Sequence, residues 1–535
     1  MARTRKRWLR GSIFLAIVLP LLFVTACSSN SGSGANDGKT QTAAPGQSDN
    51  GKTQGSATPD KPKERVTISI ARSGNAPADV TENNPTLKHL QDTIGANFKF
   101  EIYPSNLYSD KIRVKLAGGD IPDAFVWNLG LDDLVMSLIK ADKIVPLDTY
   151  IDKYPVLKSL NPYNRVRYDG KVWAITAAIN PANSSDIPMI RQDWLDRLHL
   201  EAPKTTDDLL KVATAFAQDD PDGNGKKDTY GIALGNGFLE PGLEGANGIA
   251  QAFGLDNAYM KQADGKYVPQ IADPNFKLYL DWMQKAYKSG AIDPDFITID
   301  GGTALSKVTS QGTLGITFNY SGAINMLEEE NGLKKTLPTA KLVPLEAIVG
   351  PNGDRGAKGR VSLAGIYVSK AAASNPDKMD KLMEWLEWGA TPEGGLFGNY
   401  GVEGVDYTKG ADGNIVVNNE AAERDKPSMF VYTRPLQPTA EIAVNKQFSE
   451  EAQQLVSQAA TMNEPYIKIT TTSEAYSPTQ TKYRSEIQSF IVENISKAII
   501  GKISLDQWDQ VVKEWYSRFE GDRIVEEIAA FMEKS

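Results

Sequence analysis

The fold is decided by residues 66–127, which read VTISIARSGNAPADVTENNPTLKHLQDTIGANFKFEIYPSNLYSDKIRVKLAGGDIPDAFVW. Apolar and polar side chains alternate at its start, as they do in a strand with one buried face. The stretch predicts five elements in turn: a strand over 66–71, a helix opened by Asn84 and Pro85 with Leu87, Leu90 and Ile94 on one face, a strand over 98–103, a helix over 110–117 and a strand over 124–127. Strands that alternate with helices predict a parallel sheet of the α/β class.

Beyond residue 191 the pattern becomes more helical. Thr205 and Asp208 form a capping-box signal ahead of apolar residues at helical spacing. Further helices are predicted over 193–198, 281–287, 377–388, 483–499, 505–519 and 523–532, and strands over 312–318 and 365–369. Four tryptophans fall within helical periodicity and are expected in the core: Trp194, Trp385, Trp508 and Trp515.

Composition excludes several classes of protein. The 535 residues are 41% hydrophobic and 23% charged, which is typical of a soluble globular protein. The formal net charge of −9 provides no basic surface for nucleic acid, so we expect no nucleic-acid partner. One cysteine excludes an intramolecular disulfide and a cysteine-rich zinc site, and two histidines exclude a three-histidine metal centre.

The N-terminus predicts export. Residues 1–10 hold five basic side chains and no acid, and an apolar stretch over 13–24 follows, which is the pattern of a secretory signal. Val24-Thr25-Ala26-Cys27 resembles a bacterial lipobox. We therefore expect a signal peptide over 1–26 and a lipidated Cys27, whose acyl chains (palmitate) hold the protein on the extracellular face of the cell membrane. The alternative is a free thiol beside an uncleaved anchor.

Residues 27–64 predict a disordered tether, because residues 28–64 contain no aromatic or large aliphatic side chain. Residues 46–53 match the P-loop string literally. A P-loop must follow a strand and open a helix, and neither is plausible in this composition, so we reject it. Removal of residues 1–26 takes away five positive charges and no acid, which lowers the net charge from −9 to −14.

Three strings in the folded part carry a family resemblance: GDIPDAF at 119–125, DGKVWAI at 169–175 and IRQDWL at 190–195. In this order they resemble extracellular solute-binding proteins of family 1, the substrate receptors of ABC importers. They look most like the large oligosaccharide-binding subgroup, which is similar to alginate-oligosaccharide-binding proteins. The resemblance covers residues 65–535 and implies a type II periplasmic-binding-protein-like fold of α/β class. It implies two lobes with a ligand cleft between them, lobe one over about 65–180 and 320–400 and lobe two over about 185–315 and 400–535.

Residues 219–231 carry a candidate calcium loop, DDPDGNGKKDTYG. Calcium takes hard oxygen ligands, which an EF-hand loop supplies from positions 1, 3, 5, 7 and 9 with glycine at 6. The predicted ligands in this order are Asp220, Asp222, Asn224, the carbonyl of Lys226 and Asp228. Position 12 is Gly231, so the usual bidentate glutamate is missing. The resemblance also implies a structural calcium ion, and a surface turn closed by Asx hydrogen bonds is the alternative.

The ligand residues are predicted from residue type, because sugars present hydroxyls at the ring edge and C–H groups on the ring faces. Aromatic platforms and polar side chains at strand or helix ends are therefore candidates: Trp127, Asn128, Arg191, Asn319, Tyr320 and Trp388. Arg191 is expected at a crossing between the lobes, and Trp388 matches a family position often near the ligand. Core packing or a lobe contact is the alternative at each position. The negative charge disfavours a polyanionic ligand unless local arginines overcome it.

The resulting hypothesis is a monomeric, membrane-anchored receptor without enzyme activity. It captures an oligosaccharide by lobe closure and delivers it to the permease of an ABC importer. Two alternatives stay open at this point. One is a secreted glycoside hydrolase, which needs two carboxylates at a set separation. The other is a receptor for peptides, or a surface receptor that acts as a sensor without a role in transport.

Overall fold

The structure is a computed structural model that describes residues 64–160, 165–178, 180, 181, 185–239, 247–359, 364–410, 415–436, 448–469 and 475–534. The chain divides into the units Met1–Lys63 and Glu64–Ser535, and the description concerns the second unit. The predicted signal peptide, Cys27 and the tether therefore lie outside the described residues. Within the described ranges, no helix has the length and apolar character needed to cross a membrane.

The described strands are β1 Thr67–Ser73, β2 Asn97–Tyr103, β3 Ala124–Trp127, β4 Arg165–Tyr168, β5 Lys171–Thr176, β6 Ile187–Arg191, β7 Tyr230–Ile232, β8 Tyr259–Lys261, β9 Tyr267–Pro269, β10 Leu314–Asn319, β11 Leu342–Pro344, β12 Ala357–Gly359, β13 Gly365–Val368, β14 Tyr407–Lys409, β15 Ile415–Val417 and β16 Ile467–Ile469. The described α-helices are Pro85–Ile94, Ser105–Ala117, Asp133–Lys140, Asp148–Ile151, Pro155–Ser159, Gln192–Leu198, Thr206–Gln218, Asn247–Ala252, Pro274–Lys288, Gly301–Thr309, Lys370–Ala373, Pro376–Gly389, Pro392–Tyr400, Asn419–Asp425, Glu450–Asn463, Pro478–Ile499, Trp508–Arg518 and Gly521–Met532. Every predicted helix and strand overlaps one of these elements.

Local sequence signals explain several helix starts. The Asn84 side chain accepts hydrogen bonds from the N–H groups of Thr86 and Leu87, which caps the helix Pro85–Ile94 as predicted. The capping box of Thr205 and Asp208 is also confirmed. The predicted helix over 110–117 begins earlier, at Ser105. Its first turn contains Tyr108, which is buried with Ile112 and Leu116 at a spacing of four residues, a period that the sequence analysis began only at Ile112.

The first sheet has the strand order β2-β1-β3-β13-β5-β4. β1 is parallel to β2 and β3, as the strand and helix alternation predicted. The sheet as a whole is mixed, because β13 is antiparallel to both β3 and β5, and β4 is antiparallel to β5. The predicted parallel arrangement is confirmed for β1, β2 and β3 and does not extend to the rest of the sheet. β13 enters this sheet from a distant part of the chain. The tight turn Asp169–Gly170 joins β4 directly to β5, so this antiparallel pair needs no crossover helix.

The second sheet has the order β11-β6-β10-β7 and a core of its own. β10 is parallel to β7 and antiparallel to β6. Trp194, Trp508 and Trp515 lie in this core and Trp385 lies in the core of the first sheet, each at most 2% exposed. The prediction that these four tryptophans are core residues is confirmed.

The lobe boundaries differ from the predicted ones. β11 (342–344) pairs with β6, so the chain stays in the second lobe beyond residue 320. Phe430, Val431 and Tyr432 pack in the core of the first sheet, so this part of the chain belongs to lobe one and not to lobe two. Both boundaries depend on pairing between distant segments, which local sequence patterns do not specify.

The C-terminal helix Gly521–Met532 joins the two lobes. Ile524 and Ile528 pack in the core of the second sheet, whereas Phe531 packs in a cluster on the first sheet. The Phe531 ring stacks on Tyr168 with ring centroids 5.7 Å apart. The N–H of Gly170 donates to the carbonyl of Lys534 at 3.0 Å. The helix therefore braces the second lobe against the β4–β5 hairpin.

Candidate functional site

Polar side chains gather at one edge of the first sheet. β1, β3 and β5 run in the same direction, so their carboxyl ends lie together with the amino end of β13. We call this line the first edge, and it includes Ser73, Asn128 and Thr176. Asn128 Nδ2 donates to Ser73 Oγ at 3.3 Å. The first edge thus presents a fixed amide and a hydroxyl, as the prediction for Asn128 requires.

Trp127 lies at the same edge with a buried side chain. Its exposed fraction is 0%, and it packs in a cluster with Phe125 and Tyr367. The guanidinium carbon of Arg113 is 5.0 Å from the centroid of the Trp127 ring. In the conformation described, Trp127 therefore supports the edge from beneath, and a ligand role for it stays a prediction.

The corresponding edge of the second sheet carries Asn319 and Tyr320. This second edge comprises the carboxyl ends of β7, β10 and β11 and the amino end of β6. The Tyr320 side chain is 38% exposed, and its N–H donates to Asn319 Oδ1 at 2.9 Å. β5 ends at the first edge and β6, the next strand along the chain, begins at the second edge, so each edge lies on the side of its sheet where the chain passes between the lobes.

Arg191 lies elsewhere than expected. Asn319 is paired with Ile187 at the start of β6, and Arg191 is at the opposite end of that strand. Its guanidinium bonds the Asp193 carboxylate at 2.8 and 2.5 Å and lies 4.8 Å from the Trp194 ring centroid. Arg191 is 0% exposed. The expected position at a lobe crossing is wrong, because β6 runs away from the crossing and Arg191 ends it.

Trp388 lies near the end of the helix Pro376–Gly389, beside residues 430–433, which belong to lobe one although the sequence analysis placed them in lobe two. Its ring centroid is 5.1 Å from that of Phe397. The Thr433 hydroxyl donates to the carbonyl of Leu386 on the same helix. The Tyr432 hydroxyl donates to the carbonyl of Ala364, which immediately precedes β13 at the first edge. The segment therefore links Trp388 to the first edge.

The candidate calcium loop lies between the helix Thr206–Gln218 and β7. Asn224 Nδ2 donates to Asp222 Oδ2 at 2.7 Å and to Asp228 Oδ1 at 3.1 Å. The N–H of Asn224 donates to Asp220 Oδ1 at 3.1 Å, and the N–H of Lys226 donates to Asn224 Oδ1 at 2.7 Å. In the described part of the chain, no three acidic, histidine or cysteine side chains converge as metal ligands do. The Asn224 amide lies between two of the carboxylates instead.

The backbone of this loop is nevertheless shaped for a tight turn. Gly223 and Gly225 have φ of 70° and 75°, which glycine adopts without strain. The N–H of Gly225 donates to Asp220 Oδ2 at 3.0 Å. Burial raises the pKa of Asp222, and the charges of Asp228 and Asp220 add to this effect. The donor set consists of hard oxygens, which fits calcium, and its carboxylates repel one another without a cation.

Comparison with known proteins adds to this geometry. The model of a family described as bacterial extracellular solute-binding protein matches residues 88–394. The polygalacturonan/rhamnogalacturonan-binding protein YtcQ of Bacillus subtilis (strain 168) is 25% identical over 488 residues, which are 90% of this chain and 93% of YtcQ. Lipoprotein LipO of the same organism is 24% identical over 531 residues, which are 96% of this chain and 95% of LipO.

Solved structures show the same fold. The substrate-binding protein FusA of S. pneumoniae, in complex with kestose, has a TM-score of 0.60 at 20% identity and covers 87% of this chain and 99% of its own. A second FusA structure is of an EF-hand mutant. The structure of the alginate-binding protein AlgQ2 without calcium ion has a TM-score of 0.60 at 18% identity, and the match covers 88% of this chain and 98% of AlgQ2. The predicted two-lobed α/β fold and the family resemblance are confirmed.

Proposed function

The chain belongs to the bacterial extracellular solute-binding protein family, and from this premise we propose that it captures an oligosaccharide for an ABC importer. YtcQ is named for binding polygalacturonan and rhamnogalacturonan, and FusA was solved with kestose. The family and these relatives are binding proteins and not enzymes, so the glycoside hydrolase alternative loses its support.

One observation supports the proposal: two polar edges from different sheets both lie on the side where the chain crosses between the lobes. The first edge offers Asn128, and the second offers Asn319 with the exposed Tyr320 ring. Amides donate and accept hydrogen bonds to hydroxyls, and aromatic faces pack on the C–H faces of sugars. Trp388 supplies a second aromatic surface on lobe one. Arg191 is left out of this ligand set because it lies at the far end of β6.

Capture follows from contacts made to both lobes. A ligand held only by lobe one has no effect on the angle between the lobes. A ligand that also contacts Asn319 and Tyr320 binds the closed state more tightly and shifts the population toward it. The closed form is then the state that the permease recognises.

Isothermal titration of the full-length protein with a panel of plant and algal oligosaccharides tests the proposal. We expect saturable binding of at least one glycan with negative heat-capacity change, because apolar ring faces are buried. Flat titrations across the panel, together with release of reducing ends from any glycan, would favour the hydrolase instead.

We further propose that Cys27 carries the lipid anchor, which holds the protein on the extracellular face of the membrane. We also propose that the protein is a monomer there. The likeness to lipoprotein LipO over 96% of this chain supports the anchor. A Cys27→Ala variant is the direct comparison. Metabolic labelling with a palmitate analogue should mark the unaltered protein and leave the variant unmarked.

We also propose that the loop Asp220–Asp228 binds a structural calcium ion. Its hard-oxygen donors, its Gly225 turn and the EF-hand noted for FusA support this. Asp220, Asp222, Asn224, the Lys226 carbonyl and Asp228 would hold the ion. Binding requires the Asn224 side chain to turn its oxygen inward. The ion would neutralise the crowded carboxylates and fix the loop next to the second sheet.

Removal of calcium is expected to lower the melting temperature by about 5 °C. A ligand present at about 100 times its Kd stabilises the folded state by about 2.7 kcal/mol, and each kcal/mol moves the melting temperature of a large domain by about 2–4 °C. Thermal scans with calcium at about 10 mM, which is about 100 times a Kd of about 10⁻⁴ M at the tight end of the extracellular range, and with excess EDTA measure the shift.

In both buffers, Asp222→Ala should have the melting temperature that the unaltered protein shows in EDTA. Asp264→Ala is the matched control, because Asp264 is an exposed aspartate in the β8–β9 turn of the same lobe. It should keep the full calcium response. A melting temperature of the unaltered protein that ignores EDTA would contradict the calcium site.

A further inference from the structure

Arg72 lies in β1 at the first edge, next to Ser73, and its side chain faces the segment 428–434. Its Nη1 donates to the carbonyl oxygens of Met429 at 3.0 Å and Val431 at 2.6 Å. Its Nε is buried and has no hydrogen-bond acceptor among the described residues. Carbonyl groups hold the guanidinium in place but carry no full negative charge. The Arg72 charge is therefore left without a carboxylate partner in the described part of the chain.

Arg434 brings a second positive charge to the same corner. It is exposed, and its neighbour Thr433 is tied to the carbonyl of Leu386 by a hydrogen bond. This places Arg434 beside the end of the helix that carries Trp388. Its exposed guanidinium forms no ion pair with the residues that the structure describes.

The two arginines act on each other. Burial and, to a smaller extent, the positive charge of Arg434 lower the pKa of Arg72 to about 10. The other groups that act on Arg72 are the hydroxyls of Tyr432 and Tyr108. Two positive charges that lie close together repel each other, and an anion that binds beside them relieves this repulsion.

We propose that Arg434, supported by the charge of Arg72, binds the carboxylate of an acidic oligosaccharide, with the neighbouring sugar face on Trp388. This inference rests on the proposed function and specifies its ligand as a uronate-containing chain. The planar guanidinium of Arg434 forms two parallel hydrogen bonds with a carboxylate, which a neutral sugar cannot match. Arg72 acts as a positioning residue through its charge, because its Nη1 is already engaged.

The overall charge of the protein makes these arginines necessary. A chain that is strongly acidic repels a polyanion at long range. A local pair of guanidinium groups at the first edge counteracts this repulsion where the ligand binds. The ligand class therefore depends on this corner and not on the net charge.

The test compares acids with their neutral esters. Full-length protein is titrated with tri- to tetrasaccharides of galacturonate, mannuronate and guluronate, each as the free acid and as the methyl ester. We expect at least one acid to bind about tenfold or more tightly than its ester, which corresponds to about 1.4 kcal/mol. The affinity for the acid should fall with added salt, since ions screen the contact of the exposed Arg434.

Arg434→Gln should remove the preference for the acid and leave the affinity for the ester within about twofold, since only the ionic contact is lost. Arg484→Gln is the matched control, because Arg484 is exposed on the helix Pro478–Ile499 of the other lobe. It should bind like the unaltered protein. Arg72 is not replaced in this test, because its replacement would remove the hydrogen bonds that hold the segment 428–431.

Three results would overturn the inference. Acids and esters could bind equally, Arg434→Gln could keep the preference, or neutral oligosaccharides could bind while no uronate does. Each of these results leaves the oligosaccharide function standing. Failure of every sugar, charged and neutral, would overturn the proposed function together with the inference.

Discussion

Replacement of Trp385 by alanine is expected to lower the free energy of unfolding by about 3–5 kcal/mol. Trp385 is 1% exposed in the core of the first lobe, with its ring centroid 5.8 Å from that of Phe98 and 6.1 Å from that of Phe100. Its Nε1 donates to the carbonyl of Phe430 at 2.9 Å. Alanine leaves a cavity and also a buried carbonyl without a donor, and both effects destabilise.

Urea denaturation followed by far-UV circular dichroism measures this loss. Val114→Ala is the control, because Val114 is 74% exposed on a helix of the same lobe and should change stability by less than about 0.5 kcal/mol. Trp385→Phe should fall between the two, because phenylalanine refills most of the cavity. A Trp385→Ala variant that unfolds at the same urea concentration as the unaltered protein would show that the packing of lobe one is wrong.

The second large effect concerns Tyr320. Tyr320→Ala is expected to weaken oligosaccharide binding roughly thirtyfold, because an aromatic contact residue contributes about 2 kcal/mol and each 1.4 kcal/mol is a factor of ten. The ring is exposed at the second edge, and its hydroxyl is 3.7 Å from Met326 Sδ. Its removal therefore leaves the core of the second lobe unchanged, so the loss should appear in binding and not in stability.

Matched variants separate stacking from other effects. Tyr320→Phe keeps the ring and should bind within about fivefold of the unaltered protein, since a single exposed hydroxyl contributes at most about 1 kcal/mol. Leu278→Ala removes an exposed apolar side chain of the same lobe, 45% exposed, and should bind normally. Trp388→Ala should weaken binding in the same direction as Tyr320→Ala. Unchanged affinity in Tyr320→Ala would remove the second edge from the site.

Local signals in the sequence predicted the elements well. Asn84 caps its helix and Thr205 pairs with Asp208, because both signals act within three residues along the chain. Local signals did not predict that β13 enters the first sheet antiparallel, that β11 belongs to lobe two, or that residues 430–432 return to lobe one. These features depend on pairing between segments far apart in sequence, which no local period records.

The candidate site was predicted in part for the same reason. Asn128 follows β3 and Asn319 ends β10, and both lie at the sheet edges on the side of the chain crossing. Arg191 ends β6, which runs in the opposite direction to β10, so Arg191 lies away from that edge. Arg72 and Arg434 were missed because they come together only in the folded chain. An arginine at the end of an alternating strand was the available signal for Arg72.

A sugar bound at the crossing should draw the two lobes together. Small-angle X-ray scattering of the full-length protein, with and without a saturating oligosaccharide identified by calorimetry, measures this closure. We expect a smaller radius of gyration in the bound sample, and Tyr320→Ala at the same sugar concentration should show a smaller change. Scattering curves that superimpose while calorimetry reports full occupancy would contradict capture by lobe closure.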